Sequence, residues 1–366
     1  MITINYITSD CWWDTDKTIL PLLSKKYRLN VFSFDSNETN LKYKNKENYG
    51  FNLFFVYQQR YSIIHLFALG EALRFFCRIR KEAKKKDSLN FVIPMGNLYL
   101  TFLFIFLLPR KRTVFSFHNY IEHTENKASL FRRLYMFQKK EILSKFSFFH
   151  FYSYSQMDAF NKDYPNKLSF YSKMPLKDFG HRELKRFSKK RTFLFFGHIR
   201  DYKRLDLFIQ AANDVDAFFV VAGECPEIKW KEYEEIINDR NKFSINVGFV
   251  ENSSIPYYFE NVDFLVLPYE DATQSGPALI ALNYGLPIIA SDINTFKSII
   301  NDSKNGFLFE KGNAESLRNV MKKACKVTDI ELGEMKSNQS RYKEKYEKEC
   351  SPVSTMDSIV SAIFKR

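Results

Sequence analysis

Apolar and polar positions fall into two successive alternations of short apolar runs and amphipathic stretches, divided by a polar, basic segment at residues 177–190. In the first alternation the runs at 2–8, 29–34, 51–57, 91–94 and 113–118 read as strands, and the stretches at 17–26, 64–85, 98–108 and 128–144 as helices. In the second, strands are expected at 192–196, 217–222, 245–249, 264–268 and 287–291. Helices are expected there at 205–213, 230–239, 253–261, 276–284 and 296–301. Strand–helix alternation of this kind builds a mostly parallel sheet with helices on both faces. The expected fold class is therefore α/β, with two doubly wound Rossmann-like domains facing an interdomain cleft. Open parallel sheets place their ligands beyond the carboxyl ends of the strands. The expected domains are residues 1–185, residues 186–350 and an amphipathic C-terminal helix at 351–366.

Length agrees with that division, since 366 residues exceed one ordinary core. Phe (38) and Tyr (21) are abundant, while Gly (12) and Pro (11) are scarce, which excludes collagen-like, linker-rich and disordered classes. The five cysteines are scattered without a C-x-x-C pair, so they read as free thiols and no metal site is assigned. The N-terminus lacks the basic and apolar regions of a secretory signal, and the chain is expected in the cytoplasm. The apolar run at 98–108 is eleven residues long, short of the roughly 20 that cross a bilayer, so it reads as buried or interfacial.

Charge changes the picture more than composition does. Residues 1–185 hold 30 Lys and Arg against 16 Asp and Glu, a net +14, whereas residues 186–366 hold 25 against 26. Such asymmetry points to an anionic partner. The basic runs at 78–86, 109–112 and 132–140 are interleaved with Phe, Leu and Tyr, a texture that suits an anionic membrane surface. A basic nucleic-acid-binding protein is the alternative reading, but no recognition helix, zinc finger or RNP-type pattern occurs. A nucleotide-dependent oxidoreductase is disfavoured because no G-x-G-x-x-G follows either first strand.

Candidate chemistry gathers at the strand ends of the second half. The segment Phe195-Phe-Gly-His-Ile-Arg-Asp-Tyr-Lys-Arg204 joins a strand to a helix and places Gly197, Arg200 and Lys203 at the strand end. Two cations beside a helix start can neutralise a diphosphate. Gly223 ends the next strand, where a glycine lets a ligand approach the backbone. Asn246 ends the one after, where exposed backbone can hydrogen-bond a base. The loop Tyr269-Glu-Asp-Ala-Thr-Gln-Ser-Gly276 then leads into an apolar helix. Free backbone N–H groups around Ser275, Gly276 and Ala278 are expected to form an anion site there, with Pro277 tolerated in the first turn. Gln274 and Ser275 are the polar contacts.

With these segments on the page, residues 190–320 resemble the donor domain of the retaining, GT-B-fold glycosyltransferases of family 4. That family shows F-G-x-I-R-x-Y-K-G, then A-G, then an aspartate-containing strand ending in Pro, then S-G, then G-x-P-[VI]-I-A. The matching residues are Gly197, Arg200, Lys203, Ala222, Gly223, Asp263, Pro268, Ser275, Gly276, Gly285, Pro287 and Ala290. The resemblance implies that Arg200 and Lys203 contact the donor diphosphate and that Gln274, Ser275 and Gly276 contact the distal phosphate and sugar. It departs from the family in one respect. The two glutamates spaced E-x(7)-E in many members correspond to Ala272 and Ile280, so a ribose-binding carboxylate is missing and Glu270 or Asp271 is the candidate substitute.

In the first half, Phe115-Ser-Phe-His118-Asn119-Tyr-Ile-Glu-His123 resembles the H-N-x-x-x-H segment of the same subgroup. His118 joins Arg200 and Lys203 as a catalytic candidate, orienting the sugar, with Asn119 and His123 toward the acceptor. The loop at 10–16 adds Trp13 and Asp16 as acceptor candidates through an indole and a carboxylate. The resemblance implies transfer of a sugar from a nucleoside-diphosphate donor to a glycan or polyprenyl-linked acceptor in bacterial surface polysaccharide synthesis. Retention at the anomeric carbon, no cofactor beyond the donor substrate, no nucleic-acid partner and a location at the inner face of the cell membrane complete the expectation.

Overall fold

The computed structural model describes residues 1–35, 50–57, 66–93, 108–118, 120, 130–183 and 185–365. These form two compact units, Met1–Pro175 together with Cys350–Arg366, and Leu176–Glu349. The division falls about ten residues earlier than the basic segment suggested, because residues after Leu176 already pack on the second sheet. Phe179, for example, donates its N–H to the Tyr284 hydroxyl at 3.2 Å.

The first unit is built on strands β1 (Thr3–Ser9), β2 (Arg28–Asp35), β3 (Asn52–Tyr57), β4 (Ser88–Val92), β5 (Thr113–Phe117), β6 (Phe148–Phe151) and β7 (Leu168–Tyr171). They form a 7-stranded sheet in the order β3-β2-β1-β4-β5-β6-β7, and its pairs are parallel. Helices α1 (Trp13–Ser24), α2 (Leu66–Ala83), α3 (Leu130–Lys145) and α4 (Tyr154–Asp163) connect them. Strand β1 is buried along its whole length, as a central parallel strand covered on both faces must be. Phe75, Phe76 and Ile79 of α2, Ile142 and Leu143 of α3 and Phe160 of α4 share one core with Ile7, Phe32, Phe115 and Phe149 of the sheet.

On that same face, one pleat nearer the strand starts, an asparagine ladder crosses four strands. Asn52 donates to Asn30 at 3.1 Å, Asn30 to Asn5 at 3.0 Å and Asn5 to Asn90 at 2.9 Å. The partners are directly opposite in the ladder register. Each side-chain amide thus answers its neighbour's, and a slip of one residue would leave buried amides unpaired.

The second unit repeats the plan. Strands β8 (Thr192–Phe196), β9 (Phe218–Gly223), β10 (Phe243–Val247), β11 (Phe264–Leu267), β12 (Ile288–Ser291) and β13 (Gly306–Phe309) form a 6-stranded sheet, β10-β9-β8-β11-β12-β13, again with parallel pairs. Side chains alternate between its faces with period two. Phe193, Phe195, Phe219 and Phe264 enter one core with α5 (Leu205–Asn213), and Leu194, Phe196, Val220 and Leu265 enter the other. Helices α6 (Glu227–Glu234), α7 (Ile255–Glu260), α8 (Gly276–Asn283) and α9 (Asn294–Lys297) follow in turn, then α10 (Ala314–Lys326) and α11 (Asp329–Glu349). The last helix, α12 (Pro352–Phe364), belongs to the first unit, where Asp357 pairs with Lys26 at 2.6 Å and accepts from the Tyr27 hydroxyl.

The periodicity places most of these elements, but not β6, α4, β7, β13, α10 and α11. Strand β7 is half-buried throughout, and α11 is strongly polar, so neither carries a clear one-sided apolar pattern. Most of the run at 98–108 lies outside the described residues. Among the described residues no helix is long and apolar enough to cross a membrane.

The ladder makes a direct forecast. Asn5→Leu strands the Asn90 carbonyl oxygen, and a buried acceptor left without a donor costs about 1–3 kcal/mol. Urea unfolding should show a loss of at least about 1 kcal/mol; a loss below about 0.5 kcal/mol, the range of neutral surface changes, would show that the ladder contributes nothing.

Candidate active site

The ends of β8 and β9 come together more closely than any side chain permits. A β-carbon at Gly223, whose φ is +153°, would lie 2.1 Å from the Gly197 carbonyl oxygen, so this position requires glycine. Gly197 has φ +100°, and its N–H donates to the Ala222 carbonyl at 2.9 Å. A β-carbon there would meet Lys203 Nζ at 3.2 Å and Pro277 Cγ at 3.5 Å. The glycine thus opens a small space where the loop after β8 and the start of α8 converge.

Lys203 lines that space and is 7% exposed. Among the described residues no carboxylate or carbonyl takes a hydrogen bond from its Nζ; the ammonium lies 5.6 Å over the Tyr269 ring. Burial, and then the neighbouring Arg200 charge, hold its pKa down to about 8. A buried, unneutralised ammonium is a site for an anion. Arg200, three residues earlier, is exposed and has no ion-pair partner among the described residues.

The start of α8 supplies less than the sequence suggests. Ser275 caps the helix by accepting from the Ala278 N–H at 3.3 Å, and Pro277 has no N–H. The expected row of backbone donors therefore shrinks to Ser275 and Gly276, since Ala278 is occupied. Gln274 is half-buried in the same loop, and Gly276 is half-buried with open space where a side chain would stand.

Several other candidates are taken up by the fold. Asn246 donates to the Tyr258 hydroxyl at 2.5 Å, so its side chain is committed within the unit. Its strand β10 remains the sheet edge, which leaves one row of backbone groups outside the ladder. Glu270 accepts from the Arg204 guanidinium, which makes it a poor stand-in for the missing ribose carboxylate. Asp263 accepts through both carboxylate oxygens from the one nitrogen Arg186 Nη2, at 2.7 and 2.9 Å, and through Oδ2 also from the Thr192 N–H at 2.9 Å. It lies at the start of β11, away from the strand ends, and its place in the pattern is structural.

In the first unit, His118 follows β5 and stands edge-on to Trp12, with ring centroids 4.9 Å apart. Trp12, not Trp13, is the indole against the histidine. Trp13 is half-buried as the first residue of α1. Asp16 is fully buried, accepting from the Tyr6 hydroxyl at 2.7 Å and the Thr8 hydroxyl at 2.6 Å, so it braces α1 against β1 and is not open to an acceptor. Asn119 and His123 lie outside the described residues. Tyr120 is held by Gln156, which accepts from its N–H at 2.7 Å, and by Lys139, which donates to its carbonyl.

This geometry agrees with what known proteins show. Parallel sheets of seven and six strands with flanking helices in two units are the GT-B fold of glycosyltransferases. Anabaena HepE, in complex with UDP and glucose, is similar over 100% of both chains, at 14% identity and a TM-score of 0.69. Sucrose-phosphate synthase from Thermosynechococcus elongatus matches 100% of both chains at 12% identity and a TM-score of 0.71. WaaG, a glycosyltransferase involved in lipopolysaccharide biosynthesis, matches 100% of both chains at 14% identity and a TM-score of 0.65. No curated protein matches the sequence significantly. Residues 177–345, nearly the whole of the second unit, match the family model described as Glycosyl transferases group 1.

Two residues that matter here escape a reading of residue type alone. Trp12 is indistinguishable from Trp13 until the turn of the chain is known. Arg204 occupies the position where the family pattern has glycine, and that substitution is the signal that marks it.

The depressed pKa of Lys203 gives a signed prediction. A lysine whose folded pKa is below its unfolded value binds fewer protons when folded, so the ligand-free protein gains stability as pH rises from about 8 toward the unfolded value. Lys203→Met removes a buried cation and should raise the ligand-free melting temperature at neutral pH while abolishing affinity for nucleoside diphosphates. A variant that melts lower and binds as before would contradict the assignment.

Proposed function

We propose that this protein is a retaining glycosyltransferase that moves a sugar from a nucleoside-diphosphate donor to a glycan or polyprenyl-linked glycan acceptor in the assembly of a bacterial surface polysaccharide. The observation that carries the reading is the buried Lys203 ammonium, held at the glycine-lined end of the second sheet with no anion among the described residues to neutralise it. A departing diphosphate develops negative charge, and preorganised cations stabilise it without moving a proton. Lys203 and Arg200 supply those cations, and the Ser275 and Gly276 N–H groups at the start of α8 add a partial positive charge. Gly197 and Gly223 keep the backbone low enough for the phosphates to approach.

On this reading no cofactor or metal is needed, because the cations are the protein's own. The departing phosphate serves as base on the face from which the acceptor hydroxyl attacks, which preserves the anomeric configuration. His118, with Trp12 against it, is assigned to the sugar and acceptor. The base meets the backbone at the Val247 edge of β10, and the ribose is recognised without the Glu270 carboxylate. The complexes of HepE and its relatives make uridine nucleotides the first donors to try.

The first unit supports work at the inner face of an anionic membrane. Leu73 of α2 and Met136 and Phe137 of α3 are 57%, 46% and 49% exposed on two helices that cover the same face of the sheet. Arg74, Arg78, Arg133 and Lys140 are exposed beside them. Apolar side chains set among cations insert into and bind an anionic interface.

Two measurements test the proposal. In a thermal-shift screen of nucleotide sugars, at least one nucleoside-diphosphate sugar should raise the melting temperature, since a ligand of the folded state stabilises it. Turnover of that donor should fall at least about a hundredfold in Lys203→Ala, as for loss of one transition-state donor. Near-normal turnover would remove the diphosphate assignment. In flotation assays the protein should rise with vesicles containing anionic lipid and not with neutral ones, and Phe137→Ser should weaken that binding; indifference to both changes would exclude this surface.

A further inference from the structure

Arg204 sits in a conformation that side-chain-bearing residues avoid, with φ 52° and ψ 55° at the start of α5. The family pattern has glycine there, which adopts this region without strain. Strain at a non-glycine residue persists only where surrounding contacts over-determine it. Here they do. The Arg204 guanidinium donates to Asp206, with Nε at 3.0 Å from Oδ1 and Nη2 at 2.7 Å from Oδ2, and its other nitrogen donates to Glu270. The two carboxylates raise the guanidinium pKa further, Asp206 first.

The pair joins two loops that carry the donor-site residues. Arg200 and Lys203 belong to the loop after β8, whereas Glu270 opens the loop after β11 that ends at Gln274 and Ser275. Three more ties run in parallel. The Glu270 N–H donates to the Tyr202 carbonyl at 2.8 Å, the Tyr202 and Tyr269 rings meet edge to face at 5.7 Å, and Lys203 lies over Tyr269. Among these, the Arg204–Glu270 pair is the charged one at the mouth. Arginine's planar fork presents its donors in fixed directions, which suits it to hold two carboxylates at once.

We infer that Arg204 is a positioning residue: its fork to Asp206 and Glu270 latches the diphosphate loop to the sugar-side loop and fixes Lys203 in its buried place. The inference rests on the nucleoside-diphosphate reading of the site. It also accounts for Glu270, whose carboxylate serves the latch.

Arg204→Gly tests this without endangering the fold, because glycine tolerates the left-handed backbone. Lys203 ionisation can be followed without any nucleotide, by its rate of acetylation with acetic anhydride across about pH 6 to 11, read by mass spectrometry. The wild-type midpoint should lie near 8. In Arg204→Gly it should rise by about one unit as the ammonium regains water, with the melting temperature held. Glu270→Gln should give the same shift, and the double variant no further one. Calorimetry with UDP and UMP supplies the second readout. The wild-type preference for UDP should fall about tenfold in Arg204→Gly while UMP affinity stays. An unmoved Lys203 midpoint, or equal losses for UDP and UMP with a lowered melting temperature, would overturn the latch. A wild type that does not prefer UDP, but whose Lys203 midpoint moves in the variant, would keep the latch and remove the diphosphate reading.

Discussion

The second unit is organised around one buried positive charge. Placing the Lys203 ammonium out of water is unfavourable, and among the described residues nothing neutralises it beyond the face of the Tyr269 ring. The neighbouring chain accommodates this charge in place. Gly197 leaves room beside Nζ, Gly223 lets the ends of β8 and β9 close up, and the loops after β8 and β11 are fastened to each other. On the proposed reading, this unfavourable arrangement becomes favourable when the donor diphosphate enters, as electrostatic preorganisation requires.

Polar residues at strand ends divide between that site and the fold itself. Asp16, Asn246 and Glu270 all stand in segments where a ligand contact is a natural reading. Each is instead engaged by a protein partner: Tyr6 and Thr8, Tyr258, and Arg204, respectively. The residues left for a ligand are those without such partners among the described residues, namely Arg200 and Lys203, with the backbone at Ser275 and Gly276. Binding chemistry in this protein is thus marked by missing internal partners more than by residue type.

Much of the architecture was legible because parallel strands covered on both faces are continuous apolar runs, and β1, β8 and β11 are of that kind. Their alternation with amphipathic stretches gave the α/β class and the two-sheet plan. Strands β7 and β13 are short edge strands and helix α11 is polar without a one-sided pattern, so they were not legible, whereas α10 carries a clear apolar stripe of Leu317, Met321 and Ala324 that the strand–helix alternation did not reach. Within the site, glycines and cations at strand ends could be placed from order along the chain, which fixes which loop follows which strand. What spacing could not show was pairing. That Glu270 meets Arg204, that Trp12 and not Trp13 meets His118, and that Asp16 is buried beneath α1 all depend on distances across the sheet.

The central claim is that Lys203 awaits the negative charge of a nucleoside diphosphate. Proton uptake on binding measures this directly, from the enthalpy of UDP titration in buffers of different ionisation heat at about pH 8.5. With a free pKa near 8 and an ammonium held charged by the ligand, about three-quarters of a proton should be taken up per UDP bound, and none in Lys203→Met. Binding with no proton uptake, or with the same uptake after the lysine is removed, would contradict the account.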